Sequence, residues 1–169
     1  MRRTLDWLYD AAGFAAAFFM IGTFVMVMAG IADRVFALSL RGTDMYAGYC
    51  MAAAGFLALA HTLKRGEHIR VMLVLQTLPP RQRHLLELGS LFAASALAGA
   101  LAWYSVRLAY QSWDFNDVST GSDAMPLWIP QLAMAAGSIV FFIAFVDELV
   151  LELQGKRAQK AAEEALHNE

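Results

Sequence analysis

Charged positions cut this chain into long apolar intervals. Between Asp10 and Asp33 run 22 residues without Asp, Glu, Lys or Arg, and the intervals Asp44 to Lys64, Glu87 to Arg107 and Asp123 to Asp147 hold 19, 19 and 23. An α-helix needs about 20 apolar residues to cross a hydrocarbon layer of ~30 Å. The pattern predicts an all-α integral membrane protein, with four transmembrane helices over about residues 11–32, 45–63, 86–106 and 126–147. Together they form a single membrane domain over residues 1–169. The first interval also has to be weighed against a secretory signal, because Arg2 and Arg3 precede it and Ala29 and Gly30 are small. A signal's apolar region is only about 7–15 residues, and Asp6 and Asp10 stand in its approach. The expectation is a retained first helix.

The connections differ in character. The first ends in Arg41-Gly42-Thr43-Asp44, where Thr43 or Asp44 is suited to cap helix two. In the second, Ile69 to Leu78 is apolar and flanked by basic residues, too short to span and too apolar for a solvated loop. It predicts a short interfacial amphipathic helix between the second and third spans, at about 68–78. Pro79 should end that helix and Pro80 open helix three. The third connection, Gln111 to Pro126, carries Trp113, Asp114, Asp117, Ser119-Thr120-Gly121 and Asp123. It adjoins Trp103, Tyr104, Tyr110 and Trp128, read as an aromatic belt at the bilayer surface. Pro126 suits the opening turn of helix four, and Pro130 falls one turn inside, a position that can kink a helix. A charged, Ala-rich tail at about 152–169 continues helix four.

Composition sharpens this. Hydrophobic residues make up 59% of the chain and charged ones 17%, against roughly 45–50% and about 25% in soluble domains. A single core of this size could not hide the surplus. The net charge of −2 leaves no basic footprint for nucleic acid. Distribution matters more than balance. Arg2, Arg3, Lys64, Arg65, Arg70, Arg81, Arg83, Lys156, Arg157 and Lys160 fall on one side, whereas Arg34, Arg41 and Arg107 share the other with Asp33, Asp44, Asp114, Asp117 and Asp123. Excess Lys and Arg marks the cytoplasmic side, so both termini are expected there.

Chemistry is sparse. Ionisable groups inside a membrane are expensive and kept for use, yet the four intervals hold no Asp, Glu, Lys or Arg. The single cysteine, Cys50, excludes a disulfide framework and a multi-thiolate metal site and suits a small buried position. His61 is the one histidine near a span, whereas a b-type haem needs a facing pair. Met20, Met26 and Met28 have no thiolate or histidine at their level and are assigned to packing. No Ser-His-Asp set at one depth and no glycine-rich phosphate loop occurs, so no catalytic, cofactor-binding or metal-ligating residues are assigned. Small residues four apart do occur: Gly13 and Ala17, Gly48 and Ala52, Gly89 and Ala93, Ala96 and Ala100, Ala133 and Gly137. Such faces let helix backbones approach in lipid. Packing faces without chemistry suggest an accessory subunit.

Residues Ala60-His61-Thr62-Leu63-Lys64-Arg65-Gly66-Glu67-His68-Ile69-Arg70-Val71, with Leu78-Pro79 soon after, leave helix two in a distinctive way. With Ser119-Thr120-Gly121 ahead of Pro126-Leu127-Trp128-Ile129-Pro130, and with four spans, the chain resembles the small membrane subunit (DctQ-type, Q component) of tripartite ATP-independent periplasmic (TRAP) transporters. Met72 stands where that family commonly has an acid. The resemblance implies a multi-pass protein of the bacterial inner membrane in a secondary transporter that takes up an organic anion. It implies two protein partners, a large membrane subunit (M component) and a periplasmic solute-binding protein (P component), besides membrane lipids. The implied role is non-catalytic, scaffolding the large subunit and helping to dock the binding protein. Arg65, Glu67, His68, Arg70 and Trp128 are then candidate partner or lipid contacts. A small haem- or quinone-linked anchor of a redox complex is the alternative that His61 and four helices permit. A self-assembling channel or exporter is disfavoured by the uncharged spans.

Overall fold

The computed structural model describes residues 2–65, 79–121 and 123–154. Among them lie four α-helices: α1 (Arg2–Phe36), α2 (Thr43–Lys64), α3 (Pro80–Asp114) and α4 (Trp128–Leu153). Each is long and apolar enough to cross a membrane. The described residues contain no strand, only an isolated antiparallel bridge between Val118 and Pro126. The expected interfacial helix at about 68–78 and the tail from 155 lie outside the described residues.

The helices stand in an open row. α1 packs along α2, α2 along α4, and α4 along α3, with a small additional contact between α1 and α4. Order in space is therefore α1, α2, α4, α3. α3 packs chiefly on α4 and α1 chiefly on α2, and their burial patterns record it. On α3 the buried residues are Leu91, Ser95, Ala98, Ala102, Ser105, Ala109 and Ser112. These alternate steps of four and three, the heptad spacing that keeps one narrow stripe against a partner crossing at about 20°. On α1 the same spacing joins Tyr9, Ala12, Ala16, Phe19, Thr23, Met26 and Gly30, all buried or half-buried. Most seam positions are small, so backbones approach closely and dispersion contacts and interhelical hydrogen bonds replace the hydrophobic drive that lipid removes. Ser105 Oγ and Ser138 Oγ, 3.4 Å apart, provide one such polar contact between α3 and α4.

Large side chains point the other way. Phe14, Phe18 and Phe24 of α1, and Phe92, Leu97 and Trp103 of α3, are each more than three-fifths exposed. In water such a surface would aggregate; in hydrocarbon it is the ordinary exterior of a spanning helix.

Several local expectations change. Gly42, in the left-handed region at φ 82°, caps α2, and neither Thr43 nor Asp44 makes a side-chain cap. Glycine is needed there because that φ disfavours any side chain and because Asp123 Cβ would lie 2.9 Å from an added Cβ. Asp44 instead meets Arg34 at 3.3 Å in an exposed pair, a type that contributes little. Pro80 does open α3 behind Pro79. α3 continues to Asp114, so Arg107 lies inside the helix rather than in a loop. Trp103 sits ten residues, about 15 Å, deeper than Trp113 and cannot share its level. α4 begins at Trp128, which places Pro130 in the first turn, where no intrahelical N–H is lost.

Candidate functional site

At the end that carries the start of α1 and the close of α2 and α4, three helices meet around a small core. Tyr9, Ala60, Leu63 and Ala144 are buried together, with Leu5, Val140, Phe141 and Phe145 against them. Ala60 and Ala144 are fully enclosed; a larger residue at either would hold α2 and α4 apart. The space that these alanines leave is capped by ions. Lys64, at the last position of α2, has a side chain only 9% exposed and reaches across to α4. Its Nζ donates to Asp147 Oδ2 and, at 3.0 Å, to Glu148 Oε1. The same ammonium lies 5.2 Å from the centre of the Tyr9 ring, within cation–π range. One cation thus joins α1, α2 and α4.

Neighbouring contacts extend this lock. His61 lies flat against Gly13, where an added Cβ would be 2.8 Å from Nδ1. Its Nδ1 is 3.3 Å from the Tyr9 carbonyl oxygen and 3.6 Å from Asp10 Oδ1. His84 of α3 approaches Glu152 of α4 at 3.1 Å. All these groups lie at one end of the bundle, and each engages another protein group. Among the described residues, no three His, Cys, Asp or Glu are placed to hold a metal ion.

The opposite end is closed by the α3–α4 connection. Ser119 N donates to the Met125 carbonyl at 2.8 Å and Leu127 N to the Asp117 carbonyl at 3.0 Å, which folds residues 117–127 into a compact turnback. Tyr49 of α2 anchors it. Its hydroxyl is 3.0 Å from Ser119 Oγ and 3.2 Å from Asp123 Oδ2, and Gly121 N donates to Ser119 Oγ at 3.2 Å. A phenol can donate to the carboxylate while accepting from the serine hydroxyl, so one side chain pins both halves of the turnback. Asp123 also packs on Gly42, linking this turnback to the first connection.

Of the residues picked out from sequence, Arg65 caps α2 through its backbone N–H to the His61 carbonyl and is exposed. Trp128 starts α4 at the opposite end, so the two do not form one site. Glu67, His68 and Arg70 lie outside the described residues. The small pairs divide. Gly13 and Gly137 lie in helix contacts, whereas Gly48 and Gly89 are exposed, with nothing within 4 Å of an added Cβ. Ala17, Ala52, Ala93, Ala96 and Ala100 also face outward. The cluster of Lys64, Asp147 and Glu148 and the Tyr49 anchor were not singled out. In the sequence Asp147 marks only the limit of an apolar interval, and Lys64 a second limit, one of the basic residues and part of the segment leaving helix two; the signal that pairs them is their matching depth at the ends of two spans.

No curated protein matches the chain. Residues 23–155 match the family model for tripartite ATP-independent periplasmic transporters, DctQ component. That range runs from within α1 past the end of α4 and takes in both the Tyr49 turnback and the Lys64 cluster. With well over half its length matched and four helices able to span a membrane, the chain belongs to the DctQ family, a membrane component of tripartite ATP-independent periplasmic transporters.

Proposed function

We propose that this subunit works without a substrate pathway of its own. It widens the static frame of the large membrane subunit and offers the end closed by the Tyr49 turnback to the periplasmic binding protein. The family match carries this reading. The packing order supports it, because the outer helices α1 and α3 keep broad apolar faces exposed. So does the position of the ions: Lys64 engages Asp147 and Glu148 at one end, while the four apolar intervals hold no Asp, Glu, Lys or Arg.

The orientation is N- and C-termini cytoplasmic, in the bacterial inner membrane. Ten of the thirteen basic residues fall in the sequence on the side of the N-terminus, the α2–α3 connection and the C-terminal tail, the side that the positive-inside rule assigns to the cytoplasm. The turnback then faces the periplasm, with Asp114, Asp117 and Asp123 on or beside it. The cargo is an organic anion such as a carboxylate, a class drawn from the family rather than from any residue here.

Reconstitution tests this. Proteoliposomes that contain the large subunit and are supplied with the binding protein should accumulate substrate only when this chain is included. Equal uptake without it, or uptake by this chain alone, would overturn the reading.

A further inference from the structure

Arg107 is exposed on the side of α3 turned away from α4. The packed side carries Leu91, Ser95, Ala98, Ala102, Ser105 and Ala109. Two positions before each of these stand Gly89, Ala93, Ala96, Ala100, Trp103 and Arg107, all exposed. Two residues turn an α-helix by about 200°, so this second row follows the opposite face with the same heptad spacing. No ion pair or hydrogen bond engages the Arg107 side chain among the described residues.

Depth makes this charge informative. Ser105 and Ser138 meet at 3.4 Å and share a level, and Trp128 lies ten residues, about 15 Å, further out along α4. Arg107 is two residues beyond Ser105, which leaves it about 12 Å short of Trp128 and about 9 Å short of Trp113. Tryptophans favour the headgroup level, so Arg107 starts from within the hydrocarbon. A helical side chain also leaves its backbone toward the helix N-terminus, which for α3 is the far end at Pro80. Reaching out to the nearer headgroups runs against that lean. A cation held there needs an anion at its own depth.

That requirement separates the possible occupants of this face. A phospholipid keeps its phosphate at the headgroup level, beyond the tryptophans. A second copy, related by a two-fold axis along the membrane normal, would bring Arg107 against its own like charge. A helix of another subunit with an Asp or Glu at this level answers the charge, and the Gly and Ala positions below it let the backbones approach.

Resting on the reading that this chain docks on the large membrane subunit, we propose that the Arg107 face of α3 is the docking face. A transmembrane helix of the large subunit packs along Gly89, Ala93, Ala96 and Ala100 and sets a carboxylate against Arg107. The planar guanidinium fork suits a bidentate carboxylate, so the pair fixes the register of the two helices.

The test uses the tagged full chain co-expressed with the large subunit, with photoreactive benzoylphenylalanine in place of Ala100, extracted in mild detergent. Irradiation should join the chain to the large subunit, and peptide mass spectrometry should locate the bond on a helix that carries an Asp or Glu near it. Arg107→Glu should lower crosslinking and copurification at least about tenfold, whereas Arg107→Lys should keep about half. Replacing the large subunit's acid with Lys should restore the Arg107→Glu complex. Helix content of each variant by circular dichroism should match the wild type, because the side chain is exposed. Undiminished copurification of Arg107→Glu, with no crosslink from residue 100 to the large subunit, would overturn the proposal and leave the docking reading intact. A crosslink only to phospholipid or to a second copy would overturn it as well. Failure of the wild type to copurify would overturn the docking reading, and the proposal with it.

Discussion

Gly137 of α4 lies against the backbone of Phe56 in α2 so closely that an added Cβ would stand 2.6 Å from the Phe56 carbonyl carbon and oxygen. Backbone, unlike the end of a side chain, cannot swing aside. Gly137→Ala must therefore push α2 and α4 apart, and overpacking of this kind costs roughly 1–3 kcal/mol. Gly55→Ala, where nothing lies within 4 Å, should cost nothing. Thermal unfolding of both variants in detergent checks the contrast, and equal midpoints would contradict the α2–α4 contact.

Lys64→Met should be among the most damaging substitutions at the other end. It leaves Asp147 and Glu148 facing each other without their shared cation. Removing one partner from a buried ion pair costs about 3–5 kcal/mol, largely through the charge left behind. Combining it with Asp147→Asn and Glu148→Gln should recover much of the loss. A variant cycle measured by denaturation tests this, and simple additivity of the three losses would show that the ions do not act as one lock.

Tyr49→Phe removes only a hydroxyl, yet that hydroxyl touches both halves of the turnback. One hydrogen bond is worth about 1 kcal/mol, so global unfolding should change little. Local opening should change more: proteolysis within residues 117–127 should accelerate several-fold, and binding of the periplasmic protein should weaken. Unchanged cleavage would show that Tyr49 does not hold the segment.

Orientation makes a separate prediction. Fused at Glu169, a fluorescent protein should glow and alkaline phosphatase should be silent, because the proposed orientation puts both ends in the cytoplasm. The converse would reverse the docking side as well.

The four helices were legible because charge is nearly forbidden in hydrocarbon, so apolar interval length maps directly onto span length. Which face of each helix turns inward was less legible. α3 carries two stripes of small residues, Gly89-Ala93-Ala96-Ala100 and Ser95-Ala98-Ala102-Ser105, and only the second is buried. Composition cannot separate them, since both allow close approach; the heptad continuation to Ala109 and Ser112 does. The ionic lock escaped notice for a related reason. Lys64 and Asp147 are 83 residues apart in sequence, and only the parallel packing of α2 on α4 brings them to one depth. The Ser119-Thr120-Gly121 signature was visible, but its partner Tyr49 lies 70 residues earlier on α2 and resembles any interfacial tyrosine.

The central claim is that this chain exists to complete a larger membrane subunit, and copurification tests it most directly. A tag on this chain, expressed with the large TRAP membrane subunit and extracted in mild detergent, should recover both proteins in equal amounts through size exclusion. Recovery of this chain alone, stable and monodisperse while the large subunit elutes separately, would contradict the account.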